Sequence, residues 1–269
     1  MWEADDVEAA SRRRLAWLVG IIAAAVVAGG AGYYWFTHHE APPPPVAQAP
    51  TPPPATPAEP PVAHPIAAEG ESTALPALND SDQVVHDSLA GVVGREPTEQ
   101  FLEPQNIVRR IVATVDNLPR KKLAVDRRPV KATPGQTVTS SQGDLVTLSP
   151  DNYARYAPLM KVLEHTDMKA LALVYQHLYP LFQQSYEDLG YPGKYFNDRL
   201  VEVIDHLLQT PEIATPVALT QPKVFYEYAD PELEGRSAGQ KLLIRMGAAN
   251  ERLIKEKLRE FRAEIVKKK

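Results

Sequence analysis

The feature that most constrains this chain is an uncharged segment near its N-terminus. Leu15 to Phe36 comprises 22 residues without Asp, Glu, Lys or Arg. As an α-helix this segment would be roughly 33 Å long, about the thickness of the hydrocarbon core of a bilayer. Trp17 lies near one end and the aromatic run from Tyr33 to Trp35 closes the other, as is typical of membrane interfaces. The pattern predicts a transmembrane helix over residues 15–36.

The charges beside this segment predict its orientation. The run from Arg12 to Arg14 precedes it directly, and the next Lys or Arg is Arg95. Because positively charged flanks stay in the cytoplasm, we expect residues 1–14 there and the rest of the chain across the membrane. A cleaved signal peptide is the alternative, but its apolar region usually has about 7–15 residues. The one clear A-x-A cleavage pattern, Ala47 to Ala49, lies well past the run and precedes Pro50.

One face of the predicted span carries a small residue at every fourth position, namely Gly20, Ala24, Ala28 and Gly32. Such a stripe allows two transmembrane helices to approach closely. The spacing permits a homodimer through the transmembrane helix, although a segment rich in Ala and Gly also produces it by chance.

Proline dominates the segment that follows. Between Pro42 and Pro65, 12 of the 24 residues are proline. Such a composition cannot bury apolar surface, and it favours the extended polyproline II conformation. At about 3.1 Å per residue the segment would reach roughly 75 Å. We interpret residues 37–75 as a disordered, proline-rich linker that holds a domain away from the membrane. A ligand for a proline-binding groove is the alternative.

Residues 76–269 remain, enough for one domain with a substantial core or for two small ones. They contain 26 acidic and 26 basic residues, so this part of the chain is neutral. Neutrality argues against a nucleic-acid-binding protein, whose surface is strongly basic. The sequence contains no cysteine, which excludes disulfides, thiol catalysis and thiolate metal sites. Packing alone must therefore stabilise the domain.

Apolar residues in this part recur with helical spacing. Helices are predicted to begin at Asp80 or Ser81, at Pro104, at Ser149, at Asp167 and at Tyr195. Two more are predicted, one before Gly247 and one after it. Residues 130–148 alternate Val and Thr around two turn sequences, which predicts a short β-ribbon. The expected fold is mainly α, an irregular multi-helix globular domain with a minor β-ribbon.

The helix predicted from Tyr195 to Leu208 gathers its polar residues on one face. At about 100° per residue, one arc contains Asp198, Arg199, Glu202, Asp205, His206 and Gln209. Glu202 and His206 are spaced to share a metal ion with Asp198, but no H-E-x-x-H pattern supplies the closed set of ligands that zinc needs. Because apolar residues fill the opposite side, we interpret this face as solvated and able to bind a partner.

A basic segment follows the second predicted helix. Residues 109–131 contain eight basic residues against Asp116 and Asp126. Such a concentration of charge can bind an anionic cell-wall polymer, lipid headgroups or an acidic partner, whereas a solvated loop that favours solubility is the alternative. The candidate partner-binding residues are Arg109, Arg110, Arg120, Lys121, Lys122, Arg127 and Arg128 here, and Tyr195, Asp198, Arg199, Glu202 and His206 on the later helix.

Tyrosine is also concentrated, because nine of the eleven lie between Tyr153 and Tyr228. Tyrosines line sugar- and peptide-binding grooves, but at helical spacing they also form the edge of a core. The sequence contains no nucleophile motif, no phosphate-binding glycine loop and no dinucleotide fingerprint. We therefore predict no catalytic residue, no metal ligand and no cofactor.

Several stretches together resemble a known family. They read NIVRRIVATVDNLPRKK, YARYAPLMKVLE, LYPLFQQSYEDLGYPGKYFNDRLVEVIDHLLQTPE and LTQPKVFYEYADPELEGRSAGQKLLIRMG. They are similar to the proteobacterial family called domain of unknown function 3014, over nearly all of residues 76–247. The resemblance implies a Gram-negative envelope protein. It implies no activity, cofactor or catalytic residue, since the family has none assigned.

Together with the predicted span, this resemblance implies a single-pass protein of the bacterial inner membrane with a periplasmic domain at residues 76–269. We expect that domain to act as a binding or scaffold module for an envelope protein or a cell-wall partner. One alternative is a cell-envelope hydrolase that uses Asp198, Glu202 or His206 as acid–base groups. Another is a module that binds the cell wall or sugars through its tyrosines.

Overall fold

The structure, a computed structural model, describes residues 62–66 and 75–266. The predicted transmembrane helix, the N-terminus predicted to be cytoplasmic and most of the predicted linker lie outside these residues. Within the two described ranges, the helices are too short or too polar to cross a bilayer.

The described residues form ten α-helices and four β-strands. The helices are α1 (Asp82–Val93), α2 (Arg95–Phe101), α3 (Ile107–Asn117), α4 (Pro150–Ala154), α5 (Ala157–His165), α6 (Met168–Asp188), α7 (Phe196–Leu208), α8 (Pro231–Glu234), α9 (Ala238–Met246) and α10 (Ala248–Ile265). The strands are β1 (Thr139–Gln142), β2 (Leu145–Leu148), β3 (Ala218–Thr220) and β4 (Glu227–Tyr228). The predicted mainly helical domain with a small sheet is confirmed.

Capping side chains fix where several helices begin, as the sequence predicts. Asp167 accepts the backbone N–H groups of Lys169 and Ala170 at the start of α6. Ser149 accepts the N–H of Asp151 at the start of α4, directly before the proline in its first turn. Both arrangements satisfy N–H groups that the first helical turn leaves without a partner. Pro180 lies inside α6, which continues through it.

Helix α6 forms the centre of the helical part, where it packs against α1, α3, α7 and α10. Aromatic side chains stack within this core. The rings of Phe182 and Phe196 stack with their centroids 5.9 Å apart, and those of Tyr186 and Tyr191 stack at 4.6 Å. Phe196 is completely buried. This packing fixes the start of α7, where many of the candidate residues lie.

The four strands form one antiparallel sheet in the order β1-β2-β3-β4. The ribbon predicted in residues 130–148 corresponds to β1 and β2, in which Thr139 lies opposite Leu148. Strands β3 and β4, which the sequence analysis missed, extend it and bring Leu219 opposite Val146 and Tyr228. The inner face of the sheet forms a second apolar cluster with α8 and α9.

Gly247 joins α9 to α10 with a φ of 89°, a conformation that favours glycine. A Cβ atom at this position would lie 2.7 Å from the ring of Tyr153. The glycine that the sequence predicts as a helix end is thus required both by the backbone and by close packing.

Candidate functional site

The predicted two-sided character of α7 is the starting point for the site. Its apolar side is buried in the core through Val201, Val203, Ile204 and Leu207. Its polar side lies toward the surface, with Glu202 exposed and Arg199 half-buried. The individual polar side chains, however, contact four different parts of the protein.

The first contact is with residues 62–66, which we call the strap because they cross the N-terminal end of α7. The carboxylate of Asp198 accepts the backbone N–H groups of Ala63, at 3.0 Å, and His64, at 2.7 Å. The hydroxyl of Tyr195 accepts the N–H of Ile66 at 3.0 Å. Two of the candidate residues therefore hold main-chain atoms that belong to the predicted linker.

Asn197, which no sequence pattern points to, completes this contact. Its side chain is fully buried. Its amide nitrogen donates to the carbonyl oxygens of His64, at 2.9 Å, and Ile265, at 3.2 Å, while its amide oxygen accepts from the hydroxyl of Tyr175 at 3.1 Å. One side chain thereby ties the strap to α6 and to the end of α10. In the sequence it reads as an ordinary polar residue of a first helical turn.

The second contact joins α7 to α3 through ionic groups. Asp116 is buried and accepts hydrogen bonds from Arg199 at 3.2 Å, from Arg120 and from the hydroxyl of Tyr191. Arg199 also donates to Glu202 at 2.9 Å. Burial alone would lower the pKa of Arg199, but the hydrogen bond to Glu202 and the charges of both carboxylates raise it overall. Arg199 therefore remains a cation.

The other two polar residues of this face point elsewhere. Both oxygens of Asp205 accept from the guanidinium of Arg262, at 2.6 and 2.8 Å. His206 is hydrogen-bonded to Ser237 at 2.8 Å. Glu202 and His206 are thus bound to different partners. Among the residues that the structure describes, no three His, Asp or Glu side chains are placed to hold a metal ion.

A surface groove of about 510 Å³ lies between the strap, the end of α6 and the start of α7. We call it the α7 groove. Its lining includes Val62, Tyr186, Lys194, Tyr195, Asp198, Arg199 and Glu202. Burial raises the pKa of Tyr186 to about 12, so its phenol stays neutral. The groove brings together four of the five candidate residues at this end of the domain and leaves out His206.

The basic segment is dispersed. Arg120 belongs to the Asp116 network, Lys121 donates to the carbonyl oxygen of Gly235, and Arg109 pairs with Asp188 at 2.9 Å. Arg110 is bound only by carbonyl oxygens. Within the described residues, the side chains of Lys122, Arg127 and Arg128 form neither an ion pair nor a hydrogen bond, although the carbonyl oxygens of Arg127 and Arg128 accept from Thr114 and Arg110. The seven candidates therefore do not form a single basic surface.

Several of the clustered tyrosines belong to the core. Tyr175, Tyr179 and Tyr186 are buried, and burial raises the pKa of Tyr175 well above its ordinary value. Tyr195 contacts the Tyr179 ring at a centroid distance of 5.3 Å, while also lining the groove. Most of these tyrosines therefore pack in the core, and Tyr195 also lines the α7 groove.

Comparison with known proteins supports the resemblance seen in the sequence. Residues 107–262, from α3 into α10, match the family described as Protein of unknown function (DUF3014). The chain matches no curated protein and no solved structure. The strap, α1 and α2 lie before the matched range, although Val85 of α1 is buried in the same core. Because the match covers more than half of the chain, this protein belongs to the DUF3014 family.

Proposed function

We propose that this protein is a single-pass inner-membrane protein of the Gram-negative envelope whose helical periplasmic domain is a binding module. The domain recognises an envelope protein or a cell-wall component in the α7 groove. The uncharged segment 15–36 and its arginine flank support the anchor, and the proline-rich composition of residues 37–75 supports a spacer.

The observation that carries the proposal is how the polar side chains of α7 are used. Asp198 binds the strap, Asp205 binds Arg262 and His206 binds Ser237. An acid–base pair needs carboxyl or imidazole groups that can reach a substrate proton, and these groups already have partners within the domain. What the surface offers is a groove with a tyrosine, a lysine and an exposed carboxylate, which suits recognition.

A photocrosslinking amino acid at position 202 tests this proposal in living cells. The side chain of Glu202 is 67% exposed and lines the groove, so a crosslinker there faces whatever the groove holds. Glu256 on α10 is also exposed but does not line the groove, and it provides the matched control. We expect the same envelope component to be captured from position 202 and not from position 256.

The location is tested separately with protease added to spheroplasts. The helical domain should be digested while a cytoplasmic marker stays intact. Protection of the domain from the protease would contradict the proposed periplasmic location. Equal capture from positions 202 and 256 would remove the groove as the binding site.

A cell-envelope hydrolase is the second candidate, because Asp198 and Glu202 line the same groove. A pair of carboxyl groups beside the scissile bond is the usual acid and base of glycoside hydrolysis, and these two lie one helical turn apart on the same face of α7. Incubating the full-length protein with purified cell-wall fragments distinguishes the two proposals. Release of soluble fragments by the native protein, lost in Glu202→Gln, would establish hydrolysis. A native protein that sediments with the wall but releases nothing would favour binding.

A further inference from the structure

A second pocket, away from the α7 groove, lies at the start of α3. Its volume is about 340 Å³, and it is lined by Asn106, Arg109, Arg110, Asp126 and Arg127. Three arginines and one aspartate thus line a small polar pocket. We call it the arginine pocket.

Arg110 is the best-positioned cation of this pocket. Its Nε donates to the carbonyl oxygen of Gln105 at 2.8 Å, and one terminal nitrogen donates to the carbonyl oxygens of Asp126, at 2.8 Å, and Arg128, at 3.2 Å. These three bonds fix the plane of the guanidinium. They come from neutral acceptors, so the positive charge of Arg110 is oriented without being neutralised. The other terminal nitrogen bonds to no described residue.

The other two arginines differ in how they are held. Arg109 pairs with Asp188 at 2.9 Å and donates to Asn79 at 3.2 Å. Arg127 is exposed and, among the described residues, has no carboxylate within salt-bridge distance. Asp126 also lines the pocket, and its carboxylate pairs with no described cation. Asp188 matches one of the three arginine charges, while the carboxylate of Asp82 is bound to the backbone N–H groups of Asn106 and Ile107.

Anion binding in the arginine pocket does not depend on the backbone N–H groups at the start of α3. The carboxylate of Asp82 already accepts the first free backbone N–H groups of α3, those of Asn106 at 2.7 Å and Ile107 at 2.8 Å. The attraction for an anion must therefore come from the guanidinium side chains. Guanidinium groups recognise phosphate and carboxylate oxygens through paired hydrogen bonds, and a tetrahedral group can accept from several of them at once.

We infer that the arginine pocket binds a phosphate group, which Arg110 and Arg127 contact directly while Arg109 adds charge. The phosphate can come from two sources: a free phosphate compound, or the headgroup of an anionic phospholipid. This inference is independent of the α7 groove, because none of the pocket's residues lines that groove.

The absence of cysteine from the chain makes a specific reporter straightforward. The variant Gln105→Cys in the full-length protein, labelled with an environment-sensitive fluorophore, places a probe beside the pocket. In nanodiscs of phosphatidylcholine, titration with inorganic phosphate should give a saturable signal with a Kd on the order of 1 mM. The affinity should weaken as sodium chloride is added, because salt screens exposed charges.

Substitutions at two exposed basic residues separate a site from general charge. Arg127→Gln should weaken phosphate binding about tenfold, which corresponds to roughly 1.4 kcal/mol, and Arg127→Lys should restore part of it. Lys122→Gln removes the same charge five positions away in the sequence and outside the pocket, and it should change the Kd less than about twofold. The inference would be overturned if the labelled protein without a further substitution gave a signal that does not saturate with phosphate. It would also be overturned if Arg127→Gln and Lys122→Gln weakened phosphate binding equally.

The two sources of phosphate are distinguished by the lipid. If the headgroup occupies the pocket, nanodiscs containing phosphatidylglycerol should shift the reporter before phosphate is added and remove most of the titration. An unchanged titration in both lipids identifies a free phosphate compound. Either result supports a phosphate site, provided that Arg127→Gln weakens the effect about tenfold and Lys122→Gln changes it less than about twofold.

Discussion

Two groups of arginines, each of which includes contacts with α3 or its flanking residues, are held in different ways. In the first, Arg120 and Arg199 share the buried carboxylate of Asp116. In the second, the side chain of Arg110 is bound by three carbonyl oxygens, and the side chain of Arg127 is bound by no described residue. The first group joins α3 to α7, whereas the second surrounds an open pocket.

The difference shows how the environment divides similar residues between folding and binding. An arginine matched by a buried carboxylate belongs to the fold, since removing either partner leaves the other charge unpaired in a low-dielectric site. An arginine held by neutral carbonyl oxygens keeps its charge available for a ligand. The comparison predicts where substitutions affect stability and where they affect binding.

Removing the carboxylate of the first group should have the largest effect. Asp116→Asn leaves the half-buried Arg199 with only the exposed Glu202 as an anionic partner. We expect the free energy of unfolding to fall by about 3 kcal/mol, measured by urea titration of the full-length protein in detergent micelles. Asp126→Asn, in the arginine pocket, should change it by less than about 0.5 kcal/mol. Similar losses in the two variants would remove the distinction.

Asp198 extends the comparison to a carboxylate whose partners are backbone N–H groups. Asp198→Ala removes the acceptor of Ala63 and His64, so the strap should detach locally at a cost of about 1 kcal/mol. Hydrogen exchange at these two amides should accelerate clearly, while exchange in the α6 core stays unchanged. Glu202→Ala, one helical turn away on the same face, is the control and should leave exchange in the strap as it is.

Much of the helical part could be predicted from the sequence because its signals are local. The caps at Ser149 and Asp167 and the two faces of α7 depend on residues within a few positions of each other. Strands β3 and β4 were missed because they have three and two residues and depend on a distant partner strand. The strap was missed because a proline-rich composition masks the few residues that bind the domain.

The site shows the same division between local and distant information. Arg120 and Arg127 lie seven positions apart in one basic segment, and only Arg120 has a carboxylate, that of Asp116, four positions before it. What the sequence does not show is that Tyr191 and Arg199, from a distant part of the chain, share this carboxylate. Asn197 is a further example, since its partners are His64, Tyr175 and Ile265. Pattern alone does not contain such contacts.

Acidification tests the carboxylate of Glu234, which is paired with Lys241 beside the sheet. Burial alone would raise the pKa of Glu234, but hydrogen bonds from Lys241 and from the N–H of Tyr228 lower it overall. The carboxylate therefore stabilises the fold above the pKa of an unfolded glutamate, about 4.3, and this contribution is lost as the pH falls through the lower folded value. Glu234→Gln should reduce stability at pH 7 by less than about 1 kcal/mol. The difference from the native protein should shrink below about pH 4.

The smallest expected effect is at Arg127, and it bears most directly on the comparison. Arg127→Gln removes a charge that no described residue pairs with, so the free energy of unfolding should stay within about 0.5 kcal/mol of the native value. At low salt it should rise slightly, because repulsion from the other pocket arginines is relieved, and added salt should remove this gain. Arg120→Gln is the matched control: it takes away a partner of buried Asp116 and should destabilise at every salt concentration. If Arg127→Gln destabilised the protein as much as Arg120→Gln, the charge of Arg127 would be part of the fold, and the pocket would lose one of its two unneutralised cations.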